Sequence, residues 1–305
     1  MALQTSGQIS LNDVNVELGN SGTAQIDMND AAVRGLFDIA SGEIEMADGY
    51  GKSDSSPIAV NHTQTTISNG NWTSGGTQGF GYGEYTINLG PAHAGRRILI
   101  CIGAKNTKTQ GVSATGTGVL YDVTVGGVAA PSIAPFTEAQ AIGNDAFVNM
   151  YLSGVVATGT SATVRFNLYA DDNSRQVTWE GVLAVYALSN ASATIEDWSL
   201  GYDNNPTNDT TWQQTASLDV IEGGAVVALG QYKSTDPTQT VTTFPTGFDS
   251  SAADYRVGED SRTFMVGDHD LVAADETGRA YAVNHTNASA QNAEGNVLFV
   301  SFTPA

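Results

Sequence analysis

Residues 96–106, RRILICIGAKN, decide the fold class of this 305-residue chain. A short apolar run between charged and turn-forming residues is the pattern of a buried β-strand. A run of the same character, GGAVVALGQYK, lies at residues 223–233. Each is followed by a further apolar run, GVLAVYALSNA at 181–191 and NVLFVSFTPA at 296–305. The two halves of the chain are therefore expected to resemble each other loosely.

About a dozen such segments follow residue 57, joined by turn signals such as the Gly126–Gly127 pair and without intervening helices. This pattern predicts a mainly β protein with an antiparallel, jelly-roll-like β-sandwich. The halves are placed at residues 54–190 and 191–305. Whether they form one large sandwich or two in tandem is left open by the pattern.

The charge balance narrows the classes of partner. The formal net charge is −20, and no basic cluster offsets it. Such a surface repels phosphate backbones and anionic lipid, so no nucleic-acid partner and no membrane insertion are expected. The start ALQTSGQ after Met1 has no basic, then apolar, pattern, so no secretory signal is expected.

The first fifty residues repeat one short motif three times. Aligned on an isoleucine, each copy has an apolar residue two places later and an aspartate four places later. The three sets are Ile9, Leu11 and Asp13; Ile26, Met28 and Asp30; Ile44, Met46 and Asp48. In the first two copies, a capping residue stands three places before the aspartate, which is the spacing of a capping box at a helix start.

The motif predicts an extended isoleucine, a cap and one to three helical turns. The second copy is expected to make the longest helix, and the third to break at Gly49 and Gly51. Each copy has few large apolar residues, so we expect residues 1–53 to pack on a neighbour: the large domain, sister subunits or another protein. A helical cap over a sandwich edge is the structural alternative. Residues 51–60, GKSDSSPIAV, have the composition of a linker.

The repeats resemble a module of tailed-bacteriophage structural proteins, whose short copies have the form I-S-[LF]-S-D-[VI]-x-x-E-[FL]-G and end in I-S-[LM]-S-[DE]-x-Y-G. The matches are in the first copy, from Ile9 to Val14 with Glu17–Leu18–Gly19, and in the third, from Ile44 to Asp48 with Tyr50–Gly51. The middle copy fits more loosely. The resemblance covers about fifty residues, and the style of the later strands is similar to the sandwich portions of such proteins.

This resemblance implies a virion component, assembled in the host cytoplasm, such as a tail-fibre or adhesin-like appendage. The nine aligned residues would serve docking and assembly. The implied partners are other virion proteins of the tail, neck or capsid, copies of the chain itself in a homo-oligomer, and host surface glycan. The alternatives are a head decoration protein and a glycan-binding or depolymerase module.

No catalytic motif is present: the sequence has no P-loop, HExxH, GxSxG or CxxC. The four histidines have no serine or cysteine beside them in a nucleophile–base arrangement. The one cysteine, Cys101, lies in an apolar strand-like run and is expected to be a buried structural thiol. The sequence therefore predicts a protein that is not an enzyme and needs no cofactor.

Two kinds of weaker site are also candidates. Asp268 and Asp270 in GDHD have the oxygen ligands that calcium prefers, although an exposed acidic turn is the commoner outcome. The segments YADDN and GYDNNPTND are expected to form similar acidic turns. Aromatic residues near turns are candidates for stacking on glycan or a receptor, although core packing is the commoner role of such rings. These candidates are Trp72, Tyr82, Tyr85 and Trp212.

Overall fold

The fold was analysed in a computed structural model. The structure describes residues 3–4, 6–18, 20–37, 39, 41–50, 57–75, 80–93, 95–107, 118–133, 146–170, 178–234, 240–244, 248, 253–256 and 262–305. The chain divides into two compact units, Met1–Ser56 and Pro57–Pro304, called here the repeat module and the body.

The repeat module contains two α-helices, α1 (Leu11–Glu17) and α2 (Ala31–Phe37), and a 3₁₀ helix (Met46–Gly49). The body is made of strands, β1 (Ala59–Gly75), β2 (Phe80–Asn88), β3 (Arg97–Thr107), β4 (Gly118–Val125), β5 (Val128–Ala129), β6 (Ala146–Val155), β7 (Ser161–Ala170), β8 (Thr178–Ser189), β9 (Ala191–Val220), β10 (Ala225–Ser234), β11 (Thr240–Thr243), β12 (Ala253–Arg256), β13 (Arg262–Leu271) and β14 (Glu276–Pro304).

The first eight strands form a sandwich. All their pairings are antiparallel, and the strands fall into two groups of four, β1–β8–β3–β6 and β5–β4–β7–β2. A short pairing of β1 with β2, at Ser74–Gly81 and Gly75–Phe80, connects the two groups. One apolar cluster includes buried side chains from both groups, among them Ile100 and Phe166. The two groups therefore enclose a common core, called here the first core.

The second sandwich uses two strands that each contribute to both of its layers. Strand β9 pairs with β14 over nearly its whole length, with register shifts between Thr286 and Ala293 of β14. Tyr281 and Phe299 of β14 nevertheless stack with ring centroids 5.4 Å apart. A straight strand would separate residues this far apart in sequence by roughly 60 Å. The strand therefore folds back, and its two parts enclose a second core with β10.

The two sandwiches share one strand order. In the first, β3 lies between β6 and β8, and β8 also pairs with β1. In the second, β10 lies between β13 and the end of β14, which also pairs with the start of β9. The segment at 96–106 thus corresponds in position to that at 223–233, and the segment at 181–191 to that at 296–305. The likeness read from the sequence is confirmed at these strands.

A third apolar layer joins the two sandwiches. Leu99 and Cys101 of β3 point away from the first core and pack in one buried cluster with residues of the second sandwich. That cluster includes Val227 of β10 and Leu298 of β14. Alternate residues of β3 and β10 thus reach different cores, which explains why both runs are apolar at consecutive positions. The body is two sandwiches stacked through a common layer, called here the middle layer.

Arg96 closes one end of the first sandwich. The side chain is fully buried and precedes β3. Its guanidinium donates hydrogen bonds to six backbone carbonyls, on Leu89, Gly90, Pro91, Val156, Thr158 and Gly159, at 2.6–3.3 Å. A planar group with five N–H donors suits this task, because it can serve two loops at once.

The mainly β, antiparallel, sandwich-like fold predicted from the sequence is confirmed. Two local predictions are wrong. The second repeat does not make the longest helix, since α1 and α2 have seven residues each. The segment at 201–209 is not a separate acidic turn, because its backbone lies within β9, where the pairing with β14 shifts register between Asn205 and Asp209. Of the expected linker, residues 57–60 belong to the body, where Ile58 is buried and Ala59 begins β1; residues 51–56 lie outside the described residues.

Candidate docking site in the repeat module

The three sequence repeats form the same hydrogen-bonded turn. In each, the residue after the isoleucine donates its backbone N–H to the Oδ2 atom of the aspartate three places on. The aspartate donates its own backbone N–H to the carbonyl of that first residue. The pairs are Ser10–Asp13 at 2.7 Å, Asp27–Asp30 at 3.1 Å and Glu45–Asp48 at 2.8 Å for the contact to Oδ2. We call this reciprocal pair of bonds the clasp.

The first clasp begins a helix directly. Ser10 is the N-cap of α1, and its hydroxyl donates to the Asp13 carboxylate at 2.7 Å. These bonds from the hydroxyl and the backbone N–H of Ser10 stabilise the charged form and lower the pKa of Asp13. The capping box predicted from the spacing at Ser10 and Asp13 is therefore confirmed.

The second and third clasps lead into different local structures. Asp27 also accepts the backbone N–H of Asn29 through Oδ1, and α2 begins only at Ala31. This side chain holds a turn before the helix, which explains why the second helix is no longer than the first. The third clasp leads into the 3₁₀ helix, which ends at Gly49 as the sequence predicted.

The repeats pack on one another. The module has its own apolar cluster, whose buried members include Ile9, Val14 and Phe37. Partly buried side chains packed against this cluster include four of the aligned residues, Ile26, Met28, Ile44 and Met46. The structure therefore places these five aligned residues inside or at the margin of the module. Packing of the three repeats on one another was not among the expected arrangements, which were packing on the large domain, on sister subunits or on another protein.

Polar contacts complete the module. Arg34 of α2 donates to Asn29 Oδ1 at 2.7 Å, and to the carbonyls of Ile39 and Gly42 at 3.2 and 2.8 Å. Asn15, which is buried in α1, donates to the carbonyl of Ala24 at 2.7 Å. These groups hold connecting segments that have few apolar residues of their own.

The outer surface of the module is more apolar than its size predicts. The described part of the chain exposes four large apolar side chains, and three of them, Leu11, Val16 and Tyr50, belong to the module. Leu11 is the one aligned apolar residue that is exposed, at 46%. The Tyr50 hydroxyl donates to the carbonyl of Gly7 while the side chain stays 41% exposed. Val16 and Tyr50 were not among the predicted docking residues.

The predicted glycan contacts have different environments. Tyr85 is partly buried and stacks on Phe166 at the first core, with ring centroids 6.3 Å apart. Trp72 lies in β1 opposite Trp179, and Tyr82 lies in β2 opposite Asn167. The side chains of Trp72 and Tyr82 lie outside the described residues.

Trp212 is a core residue, so its prediction as a surface contact is wrong. It is 5% exposed and stacks face to face on His285, with ring centroids 3.6 Å apart. The His285 ring also lies within hydrogen-bond distance of Gln214 at 3.3 Å and Thr242 at 3.2 Å. Burial disfavours its charged form and lowers the pKa of His285 to about 3. A ring so enclosed in the second core is not open to a sugar.

The structure gives no support to a metal site where side chains are described. Asp268 and Asp270 lie in β13, but their side chains lie outside the described residues. Among side chains that are described, no group of three or more His, Cys, Asp and Glu residues is placed to hold a metal ion. Cys101 is buried in the middle layer as expected, and burial raises the pKa of its thiol.

The chain matches no protein-family model and no curated protein sequence. Within the described ranges, no helix has the length and apolar character needed to cross a membrane.

Proposed function

We propose that this protein is a structural component of a tailed-bacteriophage virion, and that the repeat module docks it to the particle. The single observation that carries the proposal is the repeat module itself. Three copies of one clasp, each built from a repeated sequence, are joined in a unit that displays most of the exposed large apolar side chains of the described chain. The resemblance of these repeats to phage structural proteins supports a phage particle as the assembly in question.

In this proposal the body is the functional appendage, of the tail-fibre or adhesin type. Its stacked sandwiches form a rigid scaffold with three buried apolar layers. Sheet scaffolds of this kind present loops at their ends, where receptors can be contacted. The nested antiparallel pairs of the first sandwich, β1 with β8, β2 with β7, β3 with β6 and β4 with β5, support its assignment as a jelly roll.

The direct test is to ask whether the protein is part of the particle. An antibody or gold label against the body should decorate intact particles at a fixed location in electron micrographs. The number of copies per particle, measured by quantitative mass spectrometry, separates an appendage from a head decoration protein, because decoration proteins follow the symmetry of the capsid. Absence of the protein from purified particles would refute the proposal.

A further inference from the structure

The repeat module is much more acidic than the body. Residues 1–50 contain eight Asp or Glu residues and one basic residue, Arg34, which gives a net side-chain charge of −7. The other 255 residues have a net charge of −13. The charge per residue is therefore more than twice as large in the module.

Arg34, the one basic residue within residues 1–50, is already engaged. All three nitrogens of the Arg34 guanidinium donate to acceptors inside the module, two of them backbone carbonyls. This side chain therefore holds the segment after α2 in place. Several acidic side chains, in contrast, are exposed, including Asp27, Asp30, Glu43 and Glu45.

Apolar side chains are exposed on the same unit. Helix α1 buries Val14 and Asn15 and exposes Leu11 and Val16, by 46% and 51%. Burying side chains of this size in an interface is favourable, because it removes apolar surface from water. An acidic surface with exposed apolar groups fits a partner that offers apolar contact and positive charge together.

The charge also argues against other occupants. A second copy of the module would bring two surfaces of charge −7 together, and an interface of like charge is unfavourable. Nucleic acid and anionic lipid are repelled for the same reason. A protein surface with Lys or Arg side chains around an apolar patch satisfies both properties of the module.

We propose that the repeat module docks onto a basic, partly apolar surface of another particle protein. The inference rests on the proposed function and specifies its partner. The contacts would be made by Leu11, Val16 and Tyr50 together with carboxylates that lie outside the clasps, such as that of Glu43. The aspartates of the clasps chiefly hold the turns in shape.

The test uses purified full-length protein and particles assembled without it. Binding of the wild-type protein to these particles should weaken about tenfold or more between 50 and 500 mM NaCl, because salt screens attraction between opposite charges. The variant Glu43→Gln keeps side-chain size, lies outside the clasps, and should bind about twofold or more weakly at 50 mM NaCl, with a smaller salt dependence.

A matched control removes the same charge from the body. Glu196 is an exposed acidic residue of β9, and the variant Glu196→Gln should bind like the wild type at every salt concentration. Circular dichroism checks that each variant is folded.

Each outcome is decisive. Binding that is insensitive to salt and to Glu43→Gln, or that the control variant weakens as much as Glu43→Gln does, would overturn the basic partner and leave the docking role intact. Self-association that grows stronger with salt, seen by analytical ultracentrifugation, would identify a second copy as the occupant and also overturn it. No binding to particles at any salt concentration would instead refute the proposed function on which the inference rests.

Discussion

The repeat module and the body are stabilised by different kinds of interaction. The body buries three apolar layers, and its strands are held by long antiparallel pairings. The module has one small cluster and relies on three clasps, on Arg34 and on Asn15 for the shape of its turns. The body therefore depends mainly on apolar burial for its stability, whereas the module depends more on local hydrogen bonds that fix the shape of its turns.

This comparison predicts two separate unfolding transitions. A unit of about fifty residues with one small core is marginally stable, and a body with three cores is not. In urea the module should unfold first, and the body at a higher concentration. Substitutions that change one unit at a time test this separation, and their expected effects differ in size.

The largest effect is expected in the middle layer. Leu298 is fully buried there, and the variant Leu298→Ala leaves a cavity between the two sandwiches. The free energy of unfolding of the body should fall by about 2–5 kcal/mol, with the module transition unchanged. Urea unfolding followed by tryptophan fluorescence measures this, since all four tryptophans lie in the body. A loss below about 1 kcal/mol would show that the two sandwiches do not depend on this layer.

A smaller effect, also confined to the body, depends on pH. His285 is 1% exposed and has a pKa of about 3, against 6.5 for a free histidine. Between these two pH values His285 is protonated in the unfolded chain and neutral in the folded body. The stability present above pH 6.5 should therefore be lost as the pH falls toward 3, by up to about 1.4 kcal/mol per pH unit.

Comparison with His285→Gln isolates this contribution, because other groups titrate equally in both proteins. The difference in unfolding free energy between wild type and variant should change between pH 7 and pH 5. The repeat module contains no histidine and provides an internal reference. A difference that stays constant over this range would mean that His285 is solvated or charged in the folded body.

A third pair of effects, confined to the module, concerns two of its glycines. A Cβ atom on Gly49 would lie 2.8 Å from Phe37 Cζ in the module cluster, whereas one on Gly35 of α2 would meet nothing within 4 Å. Gly49→Ala should therefore destabilise the module by about 1–3 kcal/mol through overpacking. Gly35→Ala should stabilise it by about 0.5–1 kcal/mol, since alanine favours the helix.

The measurement is the urea midpoint of the module transition, followed by far-UV circular dichroism. Opposite shifts for Gly49→Ala and Gly35→Ala are expected, with the body transition unmoved. Shifts of the same sign would show that the close approach of Gly49 to Phe37 does not limit the packing of the module.

Sequence patterns predicted the local structure better than the packing. The aligned repeats predicted the capping box that is confirmed at Ser10 and Asp13, because a reciprocal bond between residues three apart depends only on local chemistry. The run at 96–106 predicted a buried strand. It did not reveal that Ile100 and Cys101 belong to different cores, since an apolar side chain is compatible with either buried layer.

The wrong prediction for Trp212 also arose because packing could not be predicted from the local sequence. The polar segment before it, GYDNNPTND, is typical of a turn, yet its backbone belongs to β9. Pairing with β14, a distant part of the sequence, overrides the local preference. Exposure of Val16 and Tyr50 was likewise missed, because it depends on how the three repeats pack together.

The most direct test of the docking role is particle incorporation of a protein that lacks residues 1–53. The full-length protein and the truncated protein would be expressed in turn during assembly of particles that lack the native copy, and the amount in purified particles measured by mass spectrometry. The truncated protein should remain folded and soluble, with its body transition unchanged, and should be depleted from particles by at least about tenfold. Incorporation at the level of the full-length protein would contradict the docking role of the repeat module.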